Sequence, residues 1–88
     1  MIRRKLTVHG RVQGVGFRYA VASAARTRGV VGWVRNRSDG TVEAIFEGDP
    51  EAVESVIRFC GEGPRGAEVS GVDVVEETPE GLVGFEIR

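Results

Sequence analysis

The segment from Gly10 to Arg18 contains the residue types that bind anions. It reads GRVQGVGFR, with three glycines at positions 10, 14 and 16. Glycines let successive backbone N–H groups turn inward to form a concave nest for phosphate, and the planar guanidinium of Arg18 adds a fork of donors. No Gly-Lys-Ser/Thr follows, and Tyr19 stands where a dinucleotide fingerprint has its third glycine, so a nucleotide cofactor is not supported. A plain turn before a helix is the competing interpretation of these glycines.

A second polar residue, Asn36, ends the second predicted strand, 18 residues beyond Arg18. When a helix connects two strands of one sheet, the strands run parallel and their C-terminal ends lie at the same end of the sheet. Ligands of α/β proteins bind beyond those strand ends, and helix N-termini attract anions. We therefore expect the glycine-rich loop, Arg18 and Asn36 to meet. Asparagine is also a favoured turn residue, so a purely structural role for Asn36 stays open.

Hydrophobic periodicity predicts the elements that position these residues. Alternation with period two indicates strands, spacing of three and four indicates helices, and Gly, Pro and Asp clusters mark the turns. The predicted elements are a strand over 2–10, a helix from Phe17 to a stop at Gly29, strands over 30–37 and 41–47 joined at Ser38-Asp39-Gly40, a helix opened by Asp49-Pro50-Glu51 and closed by Gly61, a strand over 68–77 and a last strand over 82–88. The order βαββαβ plus a short C-terminal strand predicts a ferredoxin-like split βαβ sandwich, an α/β (α+β) fold with two helices on one face of a mostly antiparallel sheet.

Length and composition predict one small domain over residues 1–88. The chain is 41% hydrophobic and 28% charged, with a net charge of −1. No run approaches the ~20 apolar residues of a membrane span, and the start MIRRK lacks the apolar stretch of a secretory signal, so we expect a cytoplasmic protein. His9 and Cys60 are the only residues of their types, which excludes an internal disulfide and a structural zinc site. We interpret both as structural residues.

Charge is distributed very unevenly along the chain. Residues 1–37 carry nine bases and no acid, whereas all 13 acids lie from Asp39 onward with three bases, so the two parts stand at +9 and −10. This asymmetry favours an anionic ligand for the first part. The alternative is that the two parts pair their charges across strands and helices.

Two long motifs resemble the signatures of the acylphosphatase family. The first is VHGRVQGVGFR over residues 8–18, and the second is GWVRNRSDGTV over residues 32–42, continuing to Gly48. The similarity extends over essentially the whole chain. It implies hydrolysis of an acyl phosphate to a carboxylate and inorganic phosphate, without metal or cofactor. The leaving carboxylate is stable at pH 7, so the reaction needs no strong general acid.

The resemblance also implies the roles of individual residues. Arg18 would bind the phosphate and Asn36 would position the attacking water. In some family members the C-terminal carboxylate holds the catalytic arginine, and the sequence does not establish whether Arg88 reaches Arg18. The backbone amides that cradle the phosphate, or a similar anion, would belong to Gln13, Gly14, Val15, Gly16 and Phe17.

Two alternatives come from other function classes. An RNA recognition domain shares this sheet topology but needs exposed aromatics on its third strand, which here reads TVEAIFE over 41–47, with glutamates that repel phosphate. A regulatory or carbamoyl-handling domain, such as similar sequences form within larger maturation proteins, is the second. The end of the sequence at Arg88 favours an autonomous enzyme. We expect a monomer that acts on a small molecule, with no nucleic-acid or membrane partner.

Overall fold

The computed structural model describes residues 1–88, and its elements follow the predicted order. Two helices and five strands alternate as β, α, β, β, α, β, with a short strand at the end. The elements are β1 (Ile2–Arg11), α1 (Phe17–Thr27), β2 (Val31–Asn36), β3 (Val42–Gly48), α2 (Pro50–Glu62), β4 (Glu68–Glu77) and β5 (Phe85–Ile87). Neither helix is long and apolar enough to cross a bilayer.

The five strands form one sheet in the order β4-β1-β3-β2-β5. Strand β3 lies between β1 and β2 and is antiparallel to both. Strand β4 adds to β1 antiparallel, and β5 adds to β2 in parallel. Because β1 and β2 share β3 as an antiparallel neighbour, they run in the same direction. Arg11 and Asn36, their last residues, therefore lie at the same end of the sheet, as predicted.

Both helices pack on one face of the sheet and bury a continuous apolar core. The alternation along β1 places Leu6 and Val8 in this core, and β3 contributes Ala44 and Phe46. Phe17, the first residue of α1, is 2% exposed, and its burial contributes about 2 to 3 kcal/mol of stability. The helices supply the opposing surface with Phe17, Val21, Ala22, Ala25, Val53, Val56 and Cys60.

The opposite face of the sheet is crossed by the connection between β4 and β5. These two strands lie at opposite edges, so residues 78–84, called the strap below, must span the sheet. The strap is held by Glu47, whose carboxylate accepts hydrogen bonds from the N–H groups of Glu80, Gly81 and Leu82 at 2.8, 3.0 and 3.0 Å. Arg3 binds the other side of the same carboxylate at 2.7 Å.

Two predicted boundaries are wrong. Helix α2 continues through Gly61 to Glu62 and is capped by Gly63, which has a φ of 73° and donates its N–H to the carbonyl of Phe59 at 2.7 Å. Gly61 has no positive φ, so it stays in the helix. The last strand covers only 85–87 instead of 82–88, because Leu82 donates its N–H to Glu47 and belongs to the strap.

Candidate active site

The loop between β1 and α1 exposes an unbroken row of backbone donors. None of the N–H groups from residue 13 to residue 19 donates to a backbone or side-chain acceptor of the protein. Gly14 and Gly16 have φ angles of 74° and 75°, while Val15 between them has a negative φ. Alternation between left-handed and right-handed backbone turns successive N–H groups toward one centre, which is the geometry of an anion-binding nest. We call residues 13–19 the cradle.

Both ends of the loop are anchored in the hydrophobic core. Val12 before it is 1% exposed and Phe17 near its end is 2% exposed. Gly16 caps α1 without a side chain, and the first bond within the helix runs from the N–H of Ala20 to the carbonyl of Gly16 at 3.1 Å. The first N–H groups of the helix are therefore free, and the positive end of the helix dipole faces the cradle.

Arg18 and Asn36 meet at the cradle in one pocket. The pocket has a volume of about 90 Å³ and contains both side chains although they belong to different elements. The predicted cradle members Gln13 and Val15 do not line it: the Gln13 side chain is directed toward the β2–β3 hairpin, and Val15 packs against the core. The lining residues are Val12, Gly14, Gly16, Phe17, Arg18, Tyr19 and Asn36.

Arg18 is oriented by the main chain of Arg88. Its Nη1 donates to the main-chain oxygen of Arg88 at 2.9 Å, which answers the question that the sequence left open. The N–H of Arg88 in turn donates to the carbonyl of Val34 at 2.8 Å, and its guanidinium lies 4.9 Å from the ring centre of Trp33. One guanidinium N–H of Arg18 is thus engaged, and the others are left for a ligand.

Asn36 lies just before a tight hairpin turn. The N–H of Arg37 donates to the carbonyl of Thr41 at 2.9 Å, which closes the hairpin. The Asp39 carboxylate accepts from the N–H and the hydroxyl of Thr41 at 3.0 and 2.6 Å, and these bonds lower the pKa of Asp39. The side chain of Asn36 is exposed and makes no hydrogen bond within the protein, so its amide is available to a ligand or water.

A second depression of about 270 Å³ adjoins the pocket at Asn36. Its two arginines share one buried carboxylate, Glu43, with Arg35 Nε at 2.6 Å and Arg37 Nη1 at 3.5 Å. Burial would raise the pKa of Glu43, but hydrogen bonds from Arg35 and Lys5 outweigh it, so the pKa is lowered. The positive charge beside Asn36 attracts anions. The depression is lined by Arg35, Asn36, Arg37 and Ser38.

Most of the remaining charge asymmetry is resolved by strand pairing. The bases of β1 face the acids of β3 and β4, so cross-strand pairing explains these residues, as the alternative interpretation held. The pairs are Arg3 with Glu47 and Glu77, Arg4 with Glu76, Lys5 with Glu43, and His9 with Asp73. Arg18 has no carboxylate side chain among its partners, which leaves its charge for an anion.

The cysteine and the histidine, the side chains best suited to act as nucleophile or general base, do not line the pocket. Cys60 is buried in α2, and burial raises the pKa of its thiol to about 12, so the thiol is inert, as predicted. His9 Nε2 contacts Asp73 Oδ2 at 2.8 Å, a partner that the sequence did not reveal. No group of three or more His, Cys, Asp and Glu side chains converges as a set of metal ligands.

The sequence did not single out two of the lining residues. Val12 precedes the predicted phosphate-binding segment 13–17 and Tyr19 follows Arg18, and both residues line the pocket. Their positions could have been found from the helix start, since the first turn of a helix exposes its N–H groups and the residues around them.

Comparison with known proteins decides the family. The acylphosphatase family model matches residues 4–87. The chain belongs to the acylphosphatase family. The acylphosphatase of Thermococcus kodakarensis is 55% identical over 86 residues, which cover 98% of this chain and 94% of that protein. The crystal structure of acylphosphatase from Bacillus subtilis matches with a TM-score of 0.97 at 40% identity, over 100% of this chain and 99% of that one.

The acylphosphatase fold also occurs as part of a larger protein. A structure of full-length HypF in the phosphate- and nucleotide-bound form matches 99% of this chain with a TM-score of 0.87 and 27% identity. The match covers 12% of the HypF chain. The acylphosphatases named above, by contrast, match this chain over nearly their whole length.

Proposed function

We propose that the protein hydrolyses the carboxyl–phosphate bond of acyl phosphates in the cradle, with Arg18 and Asn36 as its catalytic residues. The family supports the activity. The single observation that supports the location is the row of free N–H groups over residues 13–19, which opens into the pocket shared by both side chains. Inorganic phosphate, as product, would occupy the same cradle.

Binding of the phosphoryl group needs donors and positive charge, and the cradle offers both. The free N–H groups and the N-terminus of α1 face the phosphoryl oxygens, while the remaining guanidinium donors of Arg18 bind two oxygens side by side. Phosphoryl transfer depends mainly on positioning and on stabilising the charge of the transferring group. Arg18, already held by Arg88, requires little reorganisation for this role.

The chemical step needs a positioned water and little else. The Asn36 amide accepts a hydrogen bond from a water, or donates one to it, and that water attacks phosphorus in line with the leaving oxygen. The phosphorus–oxygen bond to the acyl group breaks, the carboxylate leaves with the electron pair, and the water proton passes to the phosphate product or to solvent. A carboxylate is a stable leaving group at pH 7, so neither a general acid nor a covalent intermediate is needed.

The same proposal assigns the chain one domain that works as a cytoplasmic monomer on a small molecule, without metal or cofactor. The sheet face opposite the helices is crossed by the strap, and its central strand β3 is buried, which argues against stacking of RNA bases there. Phe46 of β3 is buried under the helices, and Glu43 and Glu47 of the same strand are engaged in ion pairs. A face of this kind lacks the aromatic platform that single-stranded RNA requires.

Hydrolysis of benzoyl phosphate in excess chelator, followed by ultraviolet absorbance, tests the function and both residues. We expect Arg18→Ala to lower kcat/KM by about a thousandfold and to abolish inhibition by phosphate. Asn36→Ala should lower kcat by about a hundredfold and leave phosphate inhibition intact, since the cradle and Arg18 remain.

The matched control is Arg58→Ala, which removes an exposed arginine of α2 that has no ion pair. It should change neither parameter by more than about twofold. Absence of turnover in the folded wild-type protein would refute the activity. Full activity of Asn36→Ala would remove that residue from the mechanism.

A further inference from the structure

The side chain of Gln13 connects the cradle to the hairpin that follows Asn36. Its Nε2 donates to the carbonyl oxygen of Arg37 at 2.7 Å and to the carbonyl oxygen of Thr41 at 2.9 Å. Both hydrogens of the amide nitrogen are therefore used, on two carbonyls that flank the hairpin turn. No other side-chain hydrogen bond joins residues 12–17 to residues 36–42.

We propose that Gln13 is a positioning residue that holds Asn36 at a fixed place relative to the phosphoryl group. The inference rests on the proposed function, because it concerns the same reaction. It differs from the role that the family resemblance implies for this position, which is to offer a backbone amide to the phosphate. Here the side chain acts, and it acts on the opposite segment of the site.

The geometry explains why such a bridge is needed. The phosphoryl group is held by the β1–α1 loop, whereas the water is held by the end of β2, and in-line attack depends on the distance between them. Asn36 is exposed and lacks a side-chain partner, so its position follows that of its backbone. Gln13 holds the carbonyl of Arg37, the residue after Asn36, at a fixed distance from the cradle. The backbone of Asn36 is therefore held at a fixed distance from the cradle as well.

The residue type fits the task. An amide nitrogen has two donors and no charge, so it can satisfy two carbonyls next to an anion site without altering the charge of the site. A lysine at this position would be drawn to the phosphate instead of the two carbonyls. A carboxylate would repel both the carbonyl oxygens and the anionic ligand. Methionine has a similar length and no donor, which makes Gln13→Met the cleanest test.

The experiment measures kcat, KM and the inhibition constant of inorganic phosphate for Gln13→Met and Gln13→Ala with benzoyl phosphate. We expect kcat to fall by about ten- to hundredfold, because small misplacements of a reacting group have effects of this size. The phosphate inhibition constant should stay within about twofold, since the backbone N–H groups of the cradle and the Arg18 side chain remain and the Gln13 side chain does not line the pocket. If Gln13 only stabilised the fold, its substitution would not lower kcat while leaving the phosphate inhibition constant unchanged.

A double-mutant cycle identifies the residue through which Gln13 acts. In an Asn36→Ala background, measured at single turnover with excess enzyme, Gln13→Met should lower the rate by less than about twofold. Asp39→Ala is the matched control, since it loosens the same turn by removing two bonds to Thr41 and leaves Gln13 in place. It should keep kcat within about threefold of the wild type.

Three results would overturn the inference: unchanged kcat in both Gln13 variants, an equal loss in the Asn36→Ala background, or an equal loss in Asp39→Ala. Failure of the proposed function is recognised separately. In that case the wild-type protein itself would not hydrolyse benzoyl phosphate, whatever residue stands at position 13.

Discussion

A long, flexible side chain becomes useful for catalysis only when it is held in place. A free arginine loses about 2 kcal/mol of rotamer entropy on being fixed. Arg18 is fixed in advance by the main-chain oxygen of Arg88 at 2.9 Å. The side chain of Arg88 in turn stacks on Trp33, whose ring also lies 5.5 Å from the guanidinium carbon of Arg35. The orientation of the Arg18 side chain therefore rests on the main-chain oxygen of Arg88.

Removing Arg88 tests this dependence. Deletion of the residue takes away the oxygen that binds Arg18, so we expect kcat/KM to fall at least about tenfold and phosphate to inhibit more weakly. Arg88→Ala keeps the oxygen and loses only the stack on Trp33, so its loss should stay within about threefold. Steady-state kinetics of both variants provide the comparison. Equal losses would show that the stacked side chain, rather than the oxygen, orients Arg18.

At the level of elements, β2 carries Asn36, the residue that we propose positions the water, and β2 packs closely against β3. Gly32, near its start, has a φ of 140° and lies against the backbone of β3. A Cβ at this position would come within 1.8 Å of the carbonyl oxygen of Ile45. The glycine therefore permits the close approach that places the end of β2 beside the cradle.

Gly32→Ala should destabilise the protein by about 3 kcal/mol or more, because the methyl group can be accepted only by moving one strand away from the other. Gly61→Ala is the control, since its Cβ meets nothing within 4 Å and the residue lies in α2. It should stabilise the protein by up to about 1 kcal/mol through helix propensity. Urea unfolding followed by Trp33 fluorescence measures both. A loss in Gly32→Ala no larger than about 0.5 kcal/mol would show that the strands can shift freely.

Sequence patterns predicted the elements and the meeting of Arg18 with Asn36, because periodicity, turn residues and the handedness of strand connections are local or topological rules. The end of α2 and the start of β5 were not predictable in the same way. The end of α2 depends on which of two nearby glycines takes a positive φ, and that glycine is Gly63 rather than Gly61. The start of β5 depends on Glu47, which lies far away in the chain and binds Leu82. The bridge made by Gln13 was also missed, since its acceptors are backbone carbonyls and leave no trace in residue type.

Over the whole molecule, the strap closes the sheet face through a single buried carboxylate. Glu47 is 0% exposed and binds Arg3, whose guanidinium also reaches Glu77 at 2.8 Å and Glu80 at 3.6 Å. Burial alone would raise the pKa of Glu47. The N–H of Glu80, the guanidinium of Arg3 and the N–H groups of Leu82 and Gly81 outweigh it and lower the pKa to about 2.

This pKa predicts how stability depends on pH. Because the pKa of Glu47 is about 2 in the folded protein and 4.5 ordinarily, its contribution is complete above pH 4.5 and is lost as the pH falls toward 2. The difference corresponds to about 3 kcal/mol. We expect Glu47→Gln to lower the free energy of unfolding at pH 7 by a similar amount and to flatten its decline between pH 4.5 and 2.

Denaturant unfolding at pH 7, 4 and 3 measures this effect. Glu54→Gln, at an exposed position of α2 without an ion pair, should keep the wild-type dependence on pH. If Glu47→Gln and the wild type lose stability in parallel on acidification, the strap is not held by an ionised carboxylate.

The placement of β1 inside the sheet matters for a chain that emerges from the ribosome. Strand β1 pairs with β3 on one side and with β4 on the other, so the first ten-residue strand is completed only by residues 68–77. At about 5 to 20 residues per second, about 3 to 11 seconds separate the synthesis of Arg11 from that of Glu68. During that interval the edge of β1 that will pair with β4 has no partner strand. Its alternating basic residues, Arg3 and Lys5 among them, then act as charged gatekeepers that discourage pairing with other nascent chains.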